Sequence, residues 1–266
     1  MEHIVMVSVI TLLVMAASVL VMLLVRKNIG YTELAKHNDV AGFIFAVIGV
    51  VYAVLLAFVV IVAWQMFRET EEKVHTEVRC MASVFRDIRL IDDPNRMEIQ
   101  KEIINYTNIV IHEEWPLLGQ GKSNRKALDS MHRIFNLVAA VTPDDAYEEI
   151  WYGEIVMKMN LFSDARNERI LAAKDAIPGL LWNVLLLGAL ICIGISCLFG
   201  TSHTWAHIVM VASLSAIITL VLMTIIAFNQ PYKGSISVKP DAFIEQLSHF
   251  ENYMQTKNAR PAGMSR

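Results

Sequence analysis

The stretch HNDVAGFIFAVIGVVYAVLLAFVVIVAW, residues 37–64, decides the fold. From Val40 to Trp64 it carries no charge. At about 1.5 Å rise per residue this run exceeds the roughly 30 Å hydrocarbon core of a bilayer. It then passes into charged amphipathic sequence that continues to Ile91, and after Gly49 no helix breaker occurs before Pro94. The pattern predicts one long helix that crosses a membrane and projects beyond it.

Gly42, Ala46, Gly49, Ala53 and Ala57 recur every three or four residues and so share one face of this helix. Small residues let another helix approach closely, and close approach drives association where lipid supplies little hydrophobic force. Beyond the membrane half, Val74, Val78, Met81, Phe85 and Ile88 continue as a packing seam. His37, Asn38 and Asp39 precede the apolar run. Asn38 or Asp39 can cap the helix, and the three together can form a polar ring at a pore mouth if several copies meet.

Working outward, hydrophobic residues make up 55% of the chain and charged residues 18%. Four uncharged apolar segments account for this excess: residues 4–25, 40–64, 177–199 and 205–228. Each is long enough to span, so the chain reads as an integral membrane protein of the all-α class. The first segment lacks a basic start and a small-residue cleavage site, and is expected to persist as a membrane helix rather than act as a signal peptide. The expected organisation is a transmembrane hairpin at 1–66, a helical cytoplasmic bundle at 67–176 inserted between spans two and three, a second hairpin at 177–228 and a tail at 229–266.

Basic residues set the orientation. Arg68, Lys73, Arg79, Arg166, Arg169, Lys174, Lys233 and Lys239 flank the spans on the side of the central segment, against Arg26, Lys27 and Lys36 on the other. The excess puts the central domain and both termini in the cytoplasm. A net charge of −3 does not suggest nucleic acid as a partner. The three cysteines give no disulfide framework and read as small packing residues.

The central segment reads as helical throughout. Asp92-Asp93-Pro94 ends the rod and opens a helix with Ile99, Ile103, Tyr106 and Val110 on one face, which Trp115-Pro116 and Gly119-Gln120-Gly121 break. A third helix from about Ser123 shows Leu128, Met131, Phe135 and Val138. Thr142-Pro143-Asp144-Asp145 signals a fourth, with Thr142 as the cap and Tyr147, Trp151, Ile155, Met159 and Phe162 on the buried side. Pro178 marks the return to the membrane, and a short turn at Gly200 to Thr204 makes the last two spans an antiparallel hairpin. An amphipathic piece around Phe243 to Phe250 follows, and the last ten residues are expected to be mobile.

No motif in the chain reads as that of an enzyme. There is no P-loop, dinucleotide fingerprint, nucleophile elbow or paired-cysteine metal site. His112-Glu113-Glu114 starts like a zinc-protease helix, but Pro116 stands where the second histidine is required. His203 and His207 lie four apart without a third ligand near, and read as interfacial residues around Trp205. Asp144, Asp145, Glu148 and Glu149 suit a first helical turn without a cation. No metal or cofactor is expected. No Asp, Glu, Lys or Arg lies inside a span, which disfavours a carrier with a charged relay and leaves a conductive path between subunits open.

Residues 37–64, Glu114-Trp115-Pro116, Pro178-Gly179-Leu180-Leu181-Trp182 and Pro231-Tyr232-Lys233-Gly234 together resemble the bacterial bestrophin-like family of four-span proteins, similar in plan to bestrophin channels. The resemblance covers nearly the whole chain. It implies a homo-oligomer, of five copies as in bestrophins, in the inner membrane of a bacterium. It further implies passive conduction of inorganic ions, anions first, through a pore whose apolar neck is lined by the second span, with Phe45, Tyr52, Leu56 and Val59 as neck candidates. Where bestrophins carry an acidic calcium clasp, this chain reads NQPYKGSISVKPDAF from Asn229 to Phe243, which argues against calcium gating. The rival reading is a non-conducting, membrane-anchored interaction or sensory module.

Overall fold

A computed structural model describes residues 2–234 and 236–259. Among these the regular structure is helical and no strand occurs. The chain divides into two units, one formed by residues up to Phe67 with Ala176–Ile236, the other by Arg68–Asp175 with the segment from Ser237 onward.

Among the described residues, four helices are long and apolar enough to cross a membrane, and their apolar parts lie in the first unit. They are α1 (Glu2–Ile29), the first half of α3 (Asn38–Asp87), α8 (Gly179–Ser196) and α9 (Thr204–Phe228), with a short α2 (Tyr31–Ala35) after α1. The third span is shorter than the apolar run suggests, because Pro178 stands at its start and the helix ends at Ser196, with Cys197 as its C-cap. At one end, side chains bonded to backbone groups hold the turns together. Asn38 Nδ2 donates to the Gly200 carbonyl at 2.7 Å, and Gly200 N–H donates back to Asn38 Oδ1 at 3.0 Å. Arg26 Nη1 donates to the Thr201 carbonyl at 2.7 Å. Asn38 thus ties the start of α3 to the α8–α9 turn. Gly200 is required here, since a Cβ would run into the backbone of Ala35 and Tyr31.

In the second unit the outer half of α3 ends in a 3-10 turn, Ile88–Leu90, and α4 (Arg96–Ile109), α6 (Arg125–Ala139), α7 (Ala146–Ala172) and α10 (Asp241–Ala259) pack with it. Val74, Val78, Met81, Phe85 and Ile88 are all buried, as their spacing predicts. Two expectations need correction. Trp115-Pro116 does not break the helix after α4: a π-helical turn, Val110–Glu114, leads into α5 (Trp115–Leu118), where a proline in the first turn gives up no bond that the helix needs. The start of α7 lies at Ala146 and its cap is Asp145, which accepts the Glu148 N–H at 2.8 Å, so Thr142 is not the cap. Tyr147 is exposed and Trp151 half-buried, while Ile155, Met159 and Phe162 are buried as their spacing predicts. The amphipathic piece near the end is the full helix α10. Most of the last ten residues lie outside the described residues.

Candidate functional site

The membrane half of α3 buries one stripe against its own chain. Tyr52, Leu56, Val59 and Ala63 join a cluster with Leu185 and Ala189 of α8 and Ile218 and Ile225 of α9. The Tyr52 hydroxyl donates to the Leu185 carbonyl at 2.9 Å, and its ring lies where Gly188 has no side chain, 2.5 Å from the position a Cβ would take. Phe45 is half-buried and meets Phe199 edge-on at 5.7 Å. The four neck candidates thus rest on α8, α9 and the turn between them within the single chain.

The rest of the helix circumference is open. Phe43, Val47, Val50, Val54 and Ile61, on the side away from Tyr52, are between 50% and 75% exposed. On the flank between, Ala46, Ala53 and Ala57 are exposed and Gly42 and Gly49 half-buried. His37 and Asp39 are exposed at the helix start, beside the half-buried Asn38. A cavity of about 390 Å³ lies next to Asn38, walled by Phe45, Phe199, Gly200 and His207. His207 is buried with Nε2 3.0 Å from the Ser196 carbonyl. Among the described residues no group of His, Cys, Asp or Glu is arranged to hold a metal ion.

The second unit holds a charge cluster that sequence reading passed over. Arg169 of α7 is fully buried: its Nε donates to Glu77 Oε2 at 2.5 Å, and its Nη2 reaches Glu77 Oε1 at 3.1 Å and Glu114 Oε2 at 2.8 Å. Arg166 Nη2 donates to Glu114 Oε1 at 2.5 Å, and the Tyr106 hydroxyl donates to Glu77 Oε1 at 2.5 Å. The Asn124 N–H completes Glu114. Trp115 and Phe243 stand over the Arg169 guanidinium, each centroid 5.6 Å away. Two cations face two carboxylates, so the cluster is neutral, which is the condition for burying charge. Burial alone would lower the Arg169 pKa, yet Glu77, Tyr106 and Glu114 hold it well above the usual value. Burial first, and then Glu77, raises the Tyr106 phenol well above 10.0.

A signal for the cluster existed. Glu77 falls at the i+3 position between Val74 and Val78 of a buried seam, and Arg166 and Arg169 continue the Ile155–Met159–Phe162 stripe. Charged residues on an apolar stripe mark a buried ion pair. The acids at the head of α7 have plainer work, since Glu148 accepts backbone N–H groups of Asp92 and Asp144.

These features define a polytopic, all-helical membrane protein with an uncharged second span and a second helical unit locked by buried ion pairs. The chain belongs to the Bestrophin-like family, whose domain model matches residues 12–243. Its fold is that of a bacterial bestrophin homologue from Klebsiella pneumoniae. One crystal structure of that protein superposes with a TM-score of 0.67 at 13% identity, covering 94% of this chain and 99% of the other. Two substituted forms of the homologue give 0.68 at 14% identity, covering 94% and 99%, and 0.69 at 11% identity, covering 90% and 98%. No curated protein matches the chain.

Proposed function

We propose that this chain assembles into a closed ring of identical copies in a bacterial inner membrane, five as the family resemblance implies, and conducts inorganic ions passively, anions first. Both termini and the second unit face the cytoplasm. The observation that carries the reading is the uncharged membrane half of α3, which packs one stripe on its own chain and leaves an apolar face and a small-residue flank uncovered. In a ring the small flank of Gly42, Ala46, Gly49, Ala53 and Ala57 meets the neighbouring copy, because a heterologous contact that closes makes a ring. The face bearing Val50 and Val54 then borders the path as an apolar neck. Phe45, Tyr52, Leu56 and Val59 set the neck diameter from behind by seating α3 on α8 and α9. His37, Asn38 and Asp39 stand at the mouth.

Flux from liposomes containing the purified protein tests this. Val54→Ala is expected to change the rate of ion flux several-fold, whereas Tyr52→Phe, which keeps the ring and loses one hydrogen bond, changes it less. Equal flux in wild type and Val54→Ala would remove α3 from the path. A folded oligomer without flux would favour the interaction module.

A further inference from the structure

The second unit carries a basic groove that neither the charge cluster nor the proposed neck uses. It encloses about 510 Å³ between the last turns of α3 and one face of α10. Arg79, Arg86 and Arg89 form one wall and His249 stands on the other, with no carboxylate among the lining residues. The three arginines are exposed and oriented by their own chain. Arg79 Nη2 donates to Thr76 Oγ1 at 2.9 Å, and Arg86 is paired with Asp87 at 2.6 Å. Arg89 Nε donates to the Arg86 carbonyl at 2.8 Å, and its guanidinium lies 4.8 Å from the centre of the Tyr253 ring. Each keeps free N–H donors, since a guanidinium offers five. Among the described residues Arg79 and Arg89 have no acidic partner. The floor is firm: Phe85 and Phe250 stack with centroids 4.0 Å apart.

We propose that this groove binds a small polyanion of the phosphate class. Asp87 offsets the charge of Arg86, while Arg79 and Arg89 have no acid among the described residues to offset theirs, and an anion with several oxygens balances these two charges and satisfies the free donors of all three. At the α-helical rise Arg79 and Arg86 are set about 10 Å apart along the axis, and Arg89 follows in the 3-10 turn about 5 Å further on. That spacing suits a linked di- or triphosphate better than a single halide ion. Ser83 and Gln246 offer further polar groups at the rim. The site is independent of whether the membrane unit conducts.

Calorimetric titration of pyrophosphate into the full-length protein, in lipid-free detergent at low ionic strength, is the test. One site per chain is expected, weakening as salt is added. Arg79→Ala and Arg89→Ala should each weaken binding about tenfold, while Arg125→Ala, an exposed arginine outside the groove, leaves it unchanged. Both groove residues are exposed, and an unchanged thermal midpoint confirms that the variants fold. A second arm compares nanodiscs of phosphatidylcholine with nanodiscs containing phosphatidic acid. Competition by phosphatidic acid assigns the phosphate to a lipid headgroup, and retained pyrophosphate binding in both assigns it to a soluble molecule; either supports the site. Absence of pyrophosphate binding, or binding that Arg79→Ala and Arg89→Ala leave within twofold, overturns it. So does a change of assembly mass in these variants without any pyrophosphate affinity, which would make the groove a contact between copies.

Discussion

Glu77, fully buried and shared by Arg169 and Tyr106, is the residue on which the second unit depends most visibly. Removing it leaves two buried cations, Arg166 and Arg169, on the single carboxylate of Glu114, and breaking a buried pair in this way costs about 3–5 kcal/mol. Glu77→Ala should therefore lower the thermal midpoint of the purified protein sharply, and an unchanged midpoint would show that the cluster is not closed in solution. Tyr106 gives the same cluster a pH signature. Its phenol pKa is raised in the folded chain above 10.0, by burial and then by Glu77. The folded chain thus keeps a proton that the unfolded chain releases, and stability is present in full below about pH 10 and lost as pH climbs toward the folded value. A melting series should show the midpoint falling above that pH, and Tyr106→Phe should flatten the fall. In the membrane unit Gly200 is the corresponding test. Gly200→Ala drives a methyl into the backbone of Ala35 and Tyr31, and forced overpacking of this kind costs about 1–3 kcal/mol. A melting curve unchanged by that substitution would mean the turns are not in contact.

Among the elements, α3 was the most legible in sequence, because the absence of breakers over residues 50–87 and an unbroken seam specify one helix whatever it packs against. Which face of it turns inward was not legible. Tyr52 and Ala53 are adjacent in an all-apolar run, and only the packing of Gly188 and Leu185 decides that the tyrosine faces its own chain. Helix ends in the second unit were misread where another group outweighed a local signal: Thr142 looked like the cap of α7, yet Asp145 takes that place. In the membrane unit Asn38 suits a cap by type, and its amide also exchanges two hydrogen bonds with Gly200, a contact no local signal announced. Trp115-Pro116 looked like a break, yet the π-helical turn places Glu114 among the arginines and Trp115 over Arg169. The exposed small flank of α3 makes a prediction at this scale. Ala53→Leu should push neighbouring helices apart and reduce the assembly to smaller species in detergent, read as mass by light scattering. Unchanged mass would place the contact between copies on another element.

For the whole molecule, membership of the Bestrophin-like family and four apolar spans establish a polytopic membrane protein. The class was legible early because charge-free runs of this length have few alternatives in a chain that must satisfy its backbone in lipid. Ion choice was not legible, since no charged side chain lies in the apolar runs. Selectivity in such a path comes from dipoles, diameter and the polar groups at its mouth, which several copies create together. The most direct measurement is ion flux through the purified protein in liposomes, with chloride and potassium gradients imposed separately and the mass of the assembly measured on the same sample. The expected result is a closed oligomer that dissipates the chloride gradient faster than the potassium gradient. A folded oligomer that dissipates neither would contradict conduction, and one that favours potassium would contradict anion selectivity.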